Sequence, residues 1–182
     1  MHEQLQRFVD EITRLVEAGR DEAPLLVGAR AAMARLIATD DWLAPAHAMP
    51  HSQHYQQYLL HRDPAARFSV VSFVWGPGQK TPVHDHTVWG VIGMLRGAEL
   101  ATAYRREGAR LVQHGPVIRL GSGDVELVSP TIGDIHQVSN AHDDRSSISV
   151  HCYGADIGRV RRHAYDPATA IAKEFVSGYA NA

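Results

Sequence analysis

From Phe68 to Tyr165 the chain runs as a series of short apolar or alternating segments, each closed by glycine, proline or polar residues. "FSVVSFVW" (Phe68–Trp75) leads into the breaker-rich "GPGQKTP" (Gly76–Pro82). Further segments lie around His84–Leu95, Leu100–Tyr104, Leu111–His114, Val117–Leu120, Val125–Leu127, Ile135–Val138, Ser146–Tyr153 and Val160–Tyr165. No helical period separates them, so a parallel sheet with crossover helices is excluded. Many short, closely spaced strands argue a sandwich or a small barrel.

The N-terminus has a different period. Leu5, Phe8, Val9, Ile12, Leu15 and Val16 recur at helical spacing, and Gly19 is a plausible stop. Pro24 opens a second helix, with Leu25, Leu26, Ala29, Ala32, Met33, Leu36 and Ile37 facing inward. "DDWLAPAHAMP" (Asp40–Pro50) is a connector, and "PATAIAKEF" (Pro167–Phe175) reads as a short C-terminal helix. A length of 182 residues suits one domain. The expected organisation is mainly β: one domain over 1–182, with residues 1–40 packing as a helical segment on a barrel built from 68–165.

Composition narrows the function classes. A net charge of −2 gives no electrostatic footprint for nucleic acid or an anionic membrane. The lone cysteine, Cys152, rules out an intrachain disulfide framework and a cysteine-rich zinc site. "MHEQLQRFVDEITRL" carries acids in its first turns and has no signal-peptide core. No run approaches the roughly 18 apolar residues of a membrane span. The expected location is the cytoplasm, a reducing compartment.

The chain contains twelve histidines. His2, His47, His61 and His114 lie in polar or loop contexts and read as surface residues. "HDHTVWGVIG" (His84–Gly93) is different. Strand side chains alternate, so His84 and His86 point together and Asp85 points away. Gly78 precedes this pair and Gly90 and Gly97 follow it, in the pattern G-x5-H-x-H-x3-G-x6-G. Downstream, Gly123, Pro130, Gly133, His136 and Asn140 form G-x6-P-x2-G-x2-H-x3-N. Together these segments resemble the two motifs of the cupin jelly-roll barrels, with Gly90 where many cupins carry glutamate. The resemblance implies a third metal ligand, His136.

Three neutral imidazoles leave a divalent ion its full charge and leave coordination positions open. Such an ion favours an anionic ligand, and a thiolate is the soft candidate. A thiol oxygenase is one reading of this chemistry. A zinc hydrolase is another, because three histidines plus water also describe a catalytic zinc site. "SSISVHCYG" (Ser146–Gly154) bears on that choice. Ser149, His151 and Tyr153 share one face and can form a hydrogen-bonded relay, while Ile148, Val150 and Cys152 share the other.

With that strand the sequence resembles the thiol dioxygenases, the cupin family that contains cysteine dioxygenase. The resemblance implies one Fe(II) per chain on His84, His86 and His136, with O2 as co-substrate and a sulfinic acid as product. It implies that Ser149, His151 and Tyr153 serve catalysis. In "HYQQYLLHRD" (His54–Asp63), Gln56 takes the place where animal-type enzymes carry an arginine, with Gln57 beside it as the other candidate. This is similar to the bacterial glutamine-type branch that includes 3-mercaptopropionate dioxygenase. There, the match in "GRVRRHAYD" assigns the substrate carboxylate to Arg162; Arg159 and Arg161 lie close by in sequence, so that choice rests on the resemblance. The implied partner is a small-molecule thiol carboxylate; the oligomeric state stays open. L-cysteine is the rival substrate, and a metal-binding cupin without turnover is the rival class. Gly90 reads as the residue that keeps charge and space free at the metal. Cys152 neighbours Tyr153 on the opposite strand face, so the cysteine–tyrosine crosslink of animal enzymes is not expected.

Overall fold

A computed structural model describes residues 1–19 and 21–182. Helix α1 (Glu3–Glu17) buries Leu5, Phe8, Val9 and Ile12, the apolar stripe anticipated from its spacing. The Nδ1 of His2 accepts the Gln4 N–H at 3.3 Å and caps the helix. Helix α2 (Glu22–Leu36) starts two residues before Pro24, which sits in the first turn, where its missing N–H forfeits no helical bond. Neither helix is long and apolar enough to cross a membrane.

The strands are β1 (Gln56–Arg62), β2 (Ser69–Trp75), β3 (Val83–His84), β4 (Gly90–Arg96), β5 (Ala98–Glu107) and β6 (Arg110–Gln113). They continue with β7 (Ile118–Gly121), β8 (Val125–Val128), β9 (His136–Asn140), β10 (Ser147–Tyr153), β11 (Arg162–Tyr165) and β12 (Ala172–Phe175). One sheet has the order β1-β2-β10-β4-β8. The other runs β12-β11-β3-β9-β5-β6, with β7 also pairing β5. Every pairing is antiparallel.

The centre of the first sheet is covered on both sides, which is why β2 and β10 are buried at every position. On the outer face Val70, Val74, Ile148, Val150 and Cys152 pack against Phe8, Ile12, Met33 and Leu36 of the helices. A Cβ on Gly93 of β4 would lie 2.6 Å from Met33 Cγ, so this glycine sets how closely α2 approaches the sheet. On the inner face Val71, Phe73, Trp75 and Tyr153 meet Val138 of the second sheet. Fully burying each such aliphatic or aromatic side chain contributes roughly 1.5–3 kcal/mol. The expected β barrel with an N-terminal helical segment is therefore what the chain builds.

Two local expectations change, and one further strand lies outside the expected span of 68–165. The run expected as one strand over His84–Leu95 is two, β3 and β4, separated at Thr87, which adopts a positive φ of 61°. The Asp134 carboxylate holds that bend by accepting the Thr87 N–H at 2.9 Å. The expected helix over Pro167–Phe175 is a turn followed by β12. Asp166 Oδ1 accepts the N–H groups of Ala168 and Thr169, an Asx turn that diverts the backbone, and Ala172–Phe175 then pairs the open edge of β11. Strand β1 falls in a stretch whose doubled glutamines and leucines hide its alternation. It is anchored by antiparallel pairing to β2.

Candidate metal centre

His84 ends β3, His86 lies just beyond it, and His136 opens β9, where it is the cross-strand partner of His84. The three rings form a triangle with centroids 4.9, 4.9 and 4.8 Å apart. All three residues are buried, and one ligand atom from each lies within 4.8 Å of the others. His84 Nδ1 is bonded to the Pro82 carbonyl at 3.1 Å, and His86 Nδ1 to Asp134 Oδ1 at 3.0 Å. These bonds fix both rings and leave Nε2 available, the usual supporting arrangement for a ligating imidazole. Asp134 also accepts the backbone N–H of His86, so one carboxylate sets both the loop and the ring.

Burial, reinforced by the neighbouring His86, pushes His84 down to about 3, and burial holds His136 well below the ordinary histidine range. Buried imidazoles that stay neutral are in the protonation state that binds metal. His136 Nδ1 is buried without a hydrogen-bond partner among the described residues. The donor set therefore fits a divalent metal ion of the imidazole-binding type. Asp85 faces elsewhere: its carboxylate accepts from the His163 backbone N–H and ring, and from the Tyr165 hydroxyl.

Beside the histidines, Tyr153 stacks on His86 with centroids 5.2 Å apart. The Tyr153 hydroxyl is 2.8 Å from His151 Nδ1, and His151 Nε2 is 2.8 Å from Ser149 Oγ. The face-sharing triplet anticipated from the alternation is thus a continuous hydrogen-bonded chain, and Phe73 stacks on His151 at 4.4 Å. The chain has a further member that the sequence reading passed over. Glu99 of β5 reaches across the barrel to hydrogen-bond Ser149 Oγ, and Trp75 Nε1 donates to the same oxygen at 3.2 Å. Glu99 is 2% exposed, and burial holds its carboxyl up at about 7. Nothing in "GAELATAY" marks this acid as inward-facing; only the pairing of the two sheets does.

Tyr153 lies opposite Gly90 in the β4–β10 ladder. A Cβ on Gly90 would stand 2.8 Å from the tyrosine Cδ1. The space that Gly90 provides is filled by the Tyr153 ring, which corrects its reading as room left at the metal. Cys152 points to the helix side, buried among Val70 and Val150, and burial raises its thiol well above the ordinary range. The opposed faces keep it away from the Tyr153 ring.

A cavity of about 280 Å³ opens at His84, and its walls include Tyr55, Gln57, Phe73, Arg162, Lys173 and Ser177. Arg162 is 3% exposed, whereas Arg159 and Arg161 face solvent. Its Nη2 donates to Ser177 Oγ at 2.7 Å, its guanidinium lies over the Phe175 ring at 4.8 Å, and its Nε is buried without a hydrogen-bond partner among the described residues. No carboxylate pairs with it among the described residues. Gln56 does not join this group. In the register of β1, Gln57 pairs with Phe73 and shares its inward face, so Gln57 is buried, while Gln56 lines an adjoining cleft with His54. Gln57 Nε2 donates to the Gly178 carbonyl at 2.9 Å and to Ser177 Oγ at 3.3 Å, and through Ser177 it reaches Arg162.

The chain has likenesses among solved structures. The chain is similar to an uncharacterized conserved protein with a double-stranded β-helix domain from Klebsiella pneumoniae, at 16% identity and a TM-score of 0.50. That match covers 74% of this chain and 96% of the other. It is also similar to a cupin superfamily protein from Desulfitobacterium hafniense, at 13% identity and a TM-score of 0.47, covering 64% of this chain and 94% of the other. The family model for cysteine dioxygenase type I matches residues 33–166, from within α2 to the end of β11. That span contains the histidine triangle, the Ser149–His151–Tyr153 chain, Gln57 and Arg162. The chain belongs to the cysteine dioxygenase type I family.

Proposed function

We propose that this protein is an Fe(II)-dependent thiol dioxygenase, with one iron per chain. It uses O2 to convert the sulfur of a small thiol carboxylate to a sulfinic acid, and it prefers 3-mercaptopropionate to L-cysteine. The observation that carries this reading is Arg162, a buried guanidinium with no anionic partner among the described residues, on the same cavity as His84. Leaving a charge buried and unpaired is costly, and a bound carboxylate removes that cost.

His84, His86 and His136 would hold the iron, which would supply the redox chemistry that lets a spin-paired thiol react with triplet O2. The residues of the chain do the rest. Arg162 binds the substrate carboxylate in a bidentate fork, and Ser177 and Gln57 keep the guanidinium turned toward the cavity. Phe73 and Tyr55 wall the site with aromatic surface and exclude water. Tyr153, held by His151, presents its hydroxyl to the reacting oxygen and sulfur atoms. Burial raises that phenol well above its ordinary value, so it stays protonated as a donor.

The cavity wall supports the choice of thiol. It carries the cation Lys173 and, among the described residues, no carboxylate that would bind the ammonium of cysteine. A thiol carboxylate without an amine fits those charges. Oxygen uptake by iron-loaded protein with 3-mercaptopropionate and with L-cysteine tests the ranking. The larger kcat/KM is expected for 3-mercaptopropionate, and the reverse order would assign the protein to cysteine.

A further inference from the structure

Glu99 is a buried carboxyl outside the metal triangle, joined to it through the chain Ser149–His151–Tyr153. We infer that Glu99 is a positioning residue that sets the direction of this hydrogen-bond chain: when protonated, it turns the Tyr153 O–H toward the substrate. The inference rests on the reading of Tyr153 as a donor in the site.

The argument is a count of protons. Ser149 has one hydroxyl hydrogen and three polar neighbours: Glu99, His151 and Trp75. The Trp75 indole only donates, so the serine hydrogen goes either to Glu99 or to His151 Nε2. If it goes to His151, Nε2 is the acceptor and the proton of the neutral ring sits on Nδ1. Nδ1–H then donates to the Tyr153 oxygen, and the tyrosine O–H is free for the site. In this arrangement the contact between Glu99 and Ser149 needs a hydrogen from Glu99, so the carboxyl is protonated.

Removing that one proton to solvent reverses every bond. Ser149 now donates to the Glu99 carboxylate, and His151 carries its hydrogen on Nε2 and donates to Ser149. Tyr153 gives its own hydrogen to His151 Nδ1. The hydroxyl then offers the site lone pairs only. A charged His151 with an ionised Glu99 would keep the first orientation, but burial holds His151 well below the ordinary range. The proton therefore resides on Glu99. Burial agrees, holding this carboxyl up at about 7, and Glu126 of β8 adds to the effect.

The groups facing Glu99 are few. Glu126 comes from β8, and Ser149, His151 and Tyr153 come from β10. Trp75 of β2 does not titrate, and the cross-strand partners of Glu99, Asn140 of β9 and Leu120 of β7, are uncharged. Among the described residues, no cation contributes to the shift of this carboxyl.

The test uses iron-loaded protein and two readouts. With a carboxyl titrating near 7, kcat of the native enzyme falls about tenfold between roughly pH 6 and pH 8. In Glu99→Gln the amide always donates to Ser149, and this fall disappears. Independently of turnover, infrared difference spectra of the native protein show a buried protonated-carboxyl band on the acid side of that range that fades on the alkaline side. The band is missing in Glu99→Gln and kept in Glu126→Gln. An unchanged alkaline fall in Glu99→Gln overturns the inference, as does the absence of a Glu99-dependent band from the native protein. The infrared titration stands without the variant's kinetics if Glu99→Gln folds poorly. Tyr153→Phe separates the two ideas: full kcat there overturns the donor role of Tyr153, whereas a slowed Tyr153→Phe beside an unchanged Glu99→Gln profile overturns only the role of Glu99.

Discussion

Gly90 and Tyr153 face each other across the β4–β10 ladder, and the tyrosine ring occupies the place a side chain on residue 90 would take. A Cβ there would lie 2.8 Å from the ring Cδ1 and 2.9 Å from Val128 Cγ2. The ring cannot retreat freely, because its hydroxyl is tied to His151 and its face to His86. Gly90→Ala should therefore displace the phenol and leave the three histidines in place. Misplacing a reacting group by about 1 Å costs on the order of a hundredfold. The expected result is a kcat lower by about that factor with native iron content by metal analysis. An unchanged kcat would mean that the ring position does not matter.

Tyr153→Phe removes the hydroxyl and keeps the ring. Loss of a positioned proton donor slows turnover by about a hundredfold or more. Bound iron should equal that of the native protein. A variant that keeps full rate, or one that loses iron, contradicts the assigned role.

Arg162→Met replaces the unpaired guanidinium with a neutral chain of similar bulk. A hydrogen-bonded charge contributes about 1.5–3 kcal/mol, so KM for the thiol carboxylate should rise about tenfold to a hundredfold. The companion measurement is a thiol of the same length that lacks the carboxylate. Its kcat/KM should be nearly equal in the two proteins, and a parallel loss for both thiols would move Arg162 out of carboxylate recognition.

Asp134 bonds the His86 ring at 3.0 Å and two backbone N–H groups in the Thr87 bend. Removing such a supporting carboxylate weakens metal affinity by about ten- to a hundredfold. Competition with a chelator should show that loss in Asp134→Ala. Unaltered affinity would show that the ring is held in place without it.

The turn after β1 offers a pH test of stability. Hydrogen bonds from Arg67 hold Asp63 down at about 2, below an unfolded value near 3.9. The folded state binds the proton less readily, so this stabilisation is complete above about pH 4 and lost as pH falls through about 2. Asp63→Asn should unfold at lower denaturant concentration at neutral pH and lose less stability than the native protein on acidification. Parallel stability curves would remove Asp63 from the acid response.

The parts of the site readable in the sequence were those carried by strand alternation. Ser149, His151 and Tyr153 share a face and Cys152 is excluded because neighbours on a strand oppose one another; His84 and His86 converge as well, although His86 lies beyond the end of β3. The misplacements came where alternation is silent. Two consecutive glutamines look alike until β1 is paired to β2, and only that register turns Gln57 inward. Glu99 lies on a strand like any other and gains meaning from a residue fifty positions away on the facing sheet. The C-terminal segment has helical composition, but the open edge of β11 and the Asx turn at Asp166 decide its structure. Local pattern fixed which residues share a face, and only tertiary pairing fixed which faces meet.

The most direct test of thiol dioxygenation is product analysis under isotopically labelled O2, with iron-loaded protein and 3-mercaptopropionate. One O2 should disappear per thiol consumed, and both labelled atoms should appear in the sulfinic acid. Disulfide as the product, a sulfinic acid with one unlabelled oxygen, or no oxygen uptake at all would contradict it.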